Sequence, residues 1–253
     1  MVSFTEAQLL AWITPLLWPF LRALALFSAL PLLGTRTVPA RVRVALAAFI
    51  ALAAQASLPE MPVVPLDSAL GFVLIAQQVV LGLALGFAVR IAFAAVEFAG
   101  EIVGLQMGLN FAGFFDPISA ANATATSRFF GTMVAWLFIV IDGHLLVIAA
   151  LVHSFTVFPV GPEPFEFLRV HAPQRWAAEI FSTGLWIALP LVAMLLFVNL
   201  VLGMISRVAS QINIFAIGFP ITLGVGLLGL VLTLPSLQTP FTMALERLLA
   251  NFQ

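Results

Sequence analysis

Glu97-Phe-Ala-Gly-Glu-Ile-Val-Gly-Leu-Gln-Met-Gly-Leu-Asn-Phe-Ala-Gly-Phe-Phe-Asp-Pro117 follows an apolar block with a run of acids, glycines and phenylalanines. Glu97 and Glu101 stand four apart and share a helix face, while Gly100, Gly104 and Gly108 repeat that spacing on a neighbouring strip. Such a strip lets another helix approach closely. The helical pattern breaks at Gly113, and Asp116-Pro117 forces a turn, so Phe111, Phe114 and Phe115 fall on irregular backbone. Irregular backbone at membrane depth persists only where protein buries it or a water-filled cavity touches it. The segment reads as the working part of a pore or gate.

The rest of the chain supplies the setting. Of its 253 residues 62% are hydrophobic and 8% charged, and its mean hydropathy is +1.16. These values lie outside the soluble range and define an all-α integral membrane protein. The length holds about six spans of roughly 20 residues with short loops, which leaves no room for a sizeable soluble domain. The absence of cysteine and tyrosine removes disulfides, thiol nucleophiles and tyrosine acid/base chemistry, and a net charge of −1 predicts no nucleic-acid surface. The acidic start Met-Val-Ser-Phe-Thr-Glu6 is unlike a removable signal peptide.

Apolar blocks over 8–33, 44–58, 68–96, 129–156, 178–205 and 212–234 all read as helices. The second is short for a span, and the first carries Arg22 near its middle with Pro15, Pro19 and Pro31, so both are expected to pack in a protein assembly. Arg36, Arg41 and Arg43 lie between blocks one and two, whereas Glu60 and Asp67 follow block two. The positive-inside rule puts the first loop in the cytoplasm and both termini outside. The proline-rich loop 157–178 is the strongest internal boundary, with four helices before it and two after. The last two blocks form a hairpin with the polar turn Ser206-Arg-Val-Ala-Ser-Gln-Ile-Asn213, and 236–253 reads as a short amphipathic tail.

Arg90, Glu97 and Glu101 lie on roughly one helix face and are costly in hydrocarbon. They either pair with other subunits or line a polar path. Asp142-Gly-His144 reads as a polar break near a helix end, since no second acid or histidine stands at a ligand spacing, and His153 falls on the opposite face from His144. Gly82-Leu-Ala-Leu-Gly86 reads as ordinary close helix packing. No catalytic constellation, metal site or cofactor motif is found, so the chain is not expected to be an enzyme.

Several blocks together resemble the flagellar biosynthetic FliR family, whose counterparts are the T-type export-gate subunits of virulence type III secretion. They are Phe27-Ser-Ala-Leu-Pro-Leu-Leu-Gly34 with Val38-Pro-Ala-Arg-Val-Arg-Val-Ala-Leu46; Gly100-Glu-Ile-Val-Gly-Leu-Gln-Met-Gly-Leu109 with Asp116-Pro117; Asp142-Gly-His-Leu145; and Gly203-Met-Ile-Ser-Arg207 with Gln211-Ile-Asn-Ile-Phe-Ala-Ile-Gly-Phe-Pro220. Their order and spacing over nearly the whole length make the match specific. Ser210 departs from the proline usual before the glutamine. The resemblance implies a single-copy structural and gating subunit of the flagellar export gate in the bacterial inner membrane, at the basal body. Residues 1–160 would be a P-subunit-like four-helix part and 176–253 a Q-subunit-like hairpin with its tail. Implied partners are the P-, Q-, B- and A-type gate proteins, unfolded export substrates and membrane lipid. Family assemblies stand largely above the bilayer plane. By position, Gln106, Met107, Phe111, Phe114 and Phe115 match the plug, and Arg207, Gln211 and Asn213 match the polar turn where the B-type partner would bind.

Two rivals are a small secondary transporter with midplane acids Glu97 and Glu101, and an intramembrane hydrolase. The first requires an inverted repeat. The second requires convergent catalytic groups, whereas Asp142, His144 and His153 are isolated.

Overall fold

The computed structural model describes residues 6–35, 37–65, 67–109, 124–161, 167, 169, 172–208 and 214–253. Among these the chain is helical, with no strand. The helices are α1 (Glu6–Ala29), α2 (Ala40–Ala54), α3 (Ala69–Gln106), α4 (Ala125–Val140), α5 (Gly143–Val157), α6 (Ala178–Val208), α7 (Ile214–Thr233) and α8 (Gln238–Leu249). Five stretches are long and apolar enough to cross a membrane, and α4 with α5 makes a sixth if that bent pair is one span. The chain is thus an all-α protein with several membrane-capable helices.

The sequence expectation of one helix over 129–156 is corrected here. α4 and α5 are two helices, broken at Ile141 and Asp142. Asp142 turns the chain there in the left-handed region at φ 55°, a conformation that aspartate tolerates better than most residues. Ile139 and Leu137 carbonyls accept the Ile141 N–H before the break, and the Asp142 carbonyl accepts from Leu145 after it. α3 also runs further than the block 68–96 suggests, ending at Gln106, and the expected break at Gly113 lies outside the described residues.

The described chain divides into two compact units, one of residues 1–91, 142–177 and 245–253, the other of 92–141 and 178–244. In the first unit α1 lies on α3 at the glycine pair. A Cβ at Gly82 would strike the Arg22 carbonyl and the Ala25 Cβ, and one at Gly86 would stand 2.5 Å from the Ala29 Cβ. Only glycine permits backbones that close. Trp18 anchors the same side: it is fully buried with Val64 and Leu74, and its indole N–H donates to the Pro62 carbonyl at 3.1 Å. Phe167, Trp176 and Phe252 form an aromatic cluster with centroids 5.1–6.0 Å apart, which ties the chain's last turn down.

Arg22 is buried completely, and its own chain satisfies it. Nε donates to Gln78 Oε1 at 2.8 Å, Nη1 to Ser154 Oγ at 2.8 Å and Nη2 to the Phe158 carbonyl at 3.0 Å. The guanidinium carbon lies 3.6 Å from the centroid of the Phe155 ring. Gln78 in turn donates to Gln77, and Gln77 bridges to the Pro159 carbonyl and the Gly161 N–H. One cation therefore joins α1, α3, α5 and the turn that follows α5.

Arg22→Ala is expected to lower stability by several kcal/mol, because each buried acceptor left without its donor costs about 1–3 kcal/mol. Arg22→Lys should recover only part of this, since an ammonium cannot reproduce the fork. Thermal melting of the purified variants checks this, and an alanine variant as stable as the parent would refute it.

Candidate functional site

The C-terminal third of α3 and the start of α4 converge in the second unit. Gly100 is the contact point: a Cβ there would stand 2.9 Å from the Ser127 Cα and 3.0 Å from the Thr126 carbonyl. The neighbour that the glycine strip admits at this position is α4 of the same chain. Gly104 is buried on the next turn. Gly108 does something different. Its φ of 79° turns the chain out of the helix, with its N–H donated to the Leu105 carbonyl at 3.1 Å.

Close approach at Gly100 brings polar groups together. Glu101 Oε1 accepts from the Thr124 N–H at 3.2 Å and Oε2 from the Thr124 hydroxyl at 3.0 Å. Thr124 is also the N-cap of α4, its Oγ1 accepting from the Ser127 N–H at 3.2 Å. The Thr124 hydroxyl has one proton and gives it to Glu101, so Thr126 is the donor in the 3.2 Å contact between the two threonines. Ser127 Oγ donates to the Glu97 carbonyl at 3.2 Å. A carboxylate at the first turn of α4 also meets the positive end of the helix dipole. The ends of α3 and α4, flanking residues 110–123, are thereby fixed to one another.

Of the residues singled out from sequence, Gln106 is half-buried and Met107 fully buried. A Cβ at Gly226 of α7 would stand 2.6–2.8 Å from the Met107 side chain, so Met107 is seated on that glycine. Arg90 and Glu97 are exposed and Glu101 half-buried, and Arg207 is exposed in the last turn of α6, where a cation suits the helix dipole. Phe111, Phe114, Phe115, Gln211 and Asn213 lie outside the described residues. Sequence reasoning missed Thr124, Ser127 and Gly226. The first was detectable as a threonine opening a helical stretch three residues before Ser127, the usual cap position. Among the described residues no group of three or more His, Asp or Glu side chains stands close enough to hold a metal ion.

A family model described as bacterial export proteins, family 1, matches residues 13–248. The chain is 44% identical over 241 residues to a protein of Escherichia coli (strain K12) named flagellar biosynthetic protein FliR, covering 95% of this chain and 92% of that one. Proteins of the same name from Caulobacter vibrioides and Bacillus subtilis are 31% and 29% identical, over 92% and 84% of this chain and 93% and 83% of theirs.

Gly100→Leu should disrupt the α3–α4 contact, because the obstructing atoms at Ser127 and Thr126 are backbone and cannot rotate away. Overpacking of this kind costs about 1–3 kcal/mol or more. Gly203→Leu, whose Cβ would meet nothing within 4 Å, serves as the control. Equal melting temperatures for the two variants would remove the packing role of Gly100.

Proposed function

The chain belongs to the bacterial export proteins, family 1, and on that premise we propose that it is the structural and gating subunit of a flagellar type III export gate, passing unfolded proteins across the bacterial inner membrane. It is a flagellar export component with several membrane-capable helices. The finer reading is that residues 106–117 form the plug, with Phe111, Phe114 and Phe115 excluding water from a narrow path until an export substrate displaces them. The observation that carries it is the fixed pair of stems: Glu101 holds Thr124, and Gly100 seats Ser127, on either side of the phenylalanine-bearing segment. A constriction needs rigid walls, and hydrogen-bonded helix ends in close contact supply them.

P-, Q-, B- and A-type gate proteins are the partners this reading calls for, with 1–160 standing in for a P-type subunit and 176–253 for a Q-type hairpin. Wide apolar exposure supports such partners. Within the stretch Pro173–Val208 only 17% of the most apolar window is buried, and Trp186 and Phe197 are 69% and 66% exposed. Arg207, Gln211 and Asn213 would meet the B-type protein at the hairpin turn, and Arg90 and Glu97 would face neighbouring subunits.

The reading is tested by deleting residues 110–115 in cells that make the full set of gate subunits. The variant complex should assemble but pass small ions, slowing growth, and polar replacement of the three phenylalanines should leak less because bulk remains. An assembled deletion complex as tight as the parent would make the segment a connector. Purified without partners, the full chain should aggregate in mild detergent, and co-expression with P- and Q-type subunits should rescue it. A monodisperse lone chain unable to join them would count against the assembly.

A further inference from the structure

We propose that Gly226 of α7 is a positioning residue of the gate: through Met107 it sets where the end of α3 stands, and so where the chain enters the plug segment. The proposal rests on the reading of residues 106–117 as the plug, and it gives the hairpin 176–253 a part in holding that plug. Met107 is the first residue beyond α3. From Leu105 to Leu109 it is the one fully buried side chain, Leu105 being 62% exposed and Gln106 and Leu109 half-buried. Its N–H donates to the Val103 carbonyl at 2.9 Å, and the next residue, Gly108, turns the chain at φ 79°. Whatever holds the Met107 side chain therefore fixes the direction in which the chain leaves the helix.

Gly226 provides the seat. A Cβ on that residue would stand 2.6 Å from Met107 Cγ and 2.8 Å from both Sδ and Cε, so the whole thioether lies across bare backbone of α7. Non-bonded carbons settle at about 3.5–4.0 Å, so even a methyl group at 226 would push Met107 away by roughly 1 Å. The closest atom is Cγ, next to the backbone, and rotation about the outer bonds of the side chain does not move it. One turn along α7, Gly229 receives the Met194 side chain of α6 in the same manner. α7 thus carries two methionines in neighbouring glycine notches, one from its own hairpin and one from the end of α3.

The space next to this contact is loosely filled. A cavity of about 400 Å³ reaches Val103, one turn before Met107, with Phe130, Trp186, Pro190 and Thr233 in its wall. A shift of the helix end meets little resistance from a void, which gives the Met107 seat its weight, together with the hydrogen bonds from Thr124 to Glu101. In a close-packed core a methionine on a glycine would be ordinary packing. Here it is the last buried contact before the chain turns at Gly108.

The test uses cells that make the full set of gate subunits, with ion leak measured on the cells and hydrogen exchange on the purified complex. Gly226→Leu should speed exchange over residues 103–109 and raise the leak about ten-fold, the change in population that about 1.4 kcal/mol of overpacking produces. Met107→Ala, which removes bulk instead of adding it, should act in the same direction, and it carries the test where Gly226→Leu prevents assembly. Gly226→Leu joined to Met107→Ala exchanges the large and small groups and should restore both readings toward the parent. Gly224→Ala, on the same helix where a Cβ meets nothing within 4 Å, should change neither. Unchanged exchange over 103–109 in both single variants, an equal effect of Gly224→Ala, or no recovery in the exchanged pair would overturn the proposal. A tight Gly226→Leu complex beside a leaking deletion of residues 110–115 would overturn it alone, whereas a tight deletion complex would remove the plug reading and this proposal with it.

Discussion

Hydrocarbon offers a buried polar group no partner, so every donor and acceptor at membrane depth has to be matched by the chain itself. Burial imposes the same demand on Arg22, which is fully enclosed by the chain. A guanidinium in the middle of α1 is tolerable because α3 contributes Gln78, α5 contributes Ser154, and the backbone after α5 contributes the Phe158 carbonyl. The acceptors are neutral and lie 56 to 136 residues away in sequence. Satisfying the cation therefore requires the helices to be in place, and the cation in turn specifies their register. The same logic governs Glu101, whose two oxygens both find the Thr124 end of α4.

Close backbone approach is the second requirement, and glycine meets it at sites of different kinds. Gly82 and Gly86 seat α1 on α3, Gly100 seats α4, Gly184 meets the Ala95 carbonyl and Phe98, and Gly229 receives Met194. At Gly100 the absent side chain lets the polar contacts reach hydrogen-bonding distance. Around Glu101 the order of cause is visible. Gly100 brings the Ser127 backbone in, and one residue further the carboxylate is then within reach of Thr124. Phe93, buried, makes edge-to-face contacts to Phe138 and Phe241 at 5.4 and 5.6 Å.

Much of the helical architecture was legible from sequence because uninterrupted apolar runs in a chain of this composition have few other outcomes. The glycine pairs at Gly82, Gly86 and Gly100 carried their own spacing. What was not legible depended on long-range contact or on a single backbone angle. The polar break at Asp142-Gly-His144 was legible, but that the chain turns there through the left-handed region depends on the Asp142 φ of 55°. The partners of Arg22 are a glutamine, a serine and a carbonyl, none of which marks itself as a cation's counterpart. The candidate site was half legible: Gly100 and Glu101 stood out, whereas Thr124 and Ser127 lie beyond the phenylalanines that drew attention first.

The length of α3 bears on how its charges are accommodated. Its 38 residues extend about 57 Å, nearly twice the hydrocarbon thickness, and even a 40° tilt leaves about 44 Å along the bilayer normal. Some of the helix must therefore stand outside the hydrocarbon. Residues 69–89 carry no charge and span about 31 Å, a fit to the apolar layer, and within them Gln77 and Gln78 are buried in the Arg22 network. Arg90, Glu97 and Glu101 all follow. With 69–89 in the hydrocarbon, the acids are not midplane groups, and exposure of Arg90 and Glu97 carries no membrane penalty. That removes the main physical attraction of a midplane ion-binding transporter.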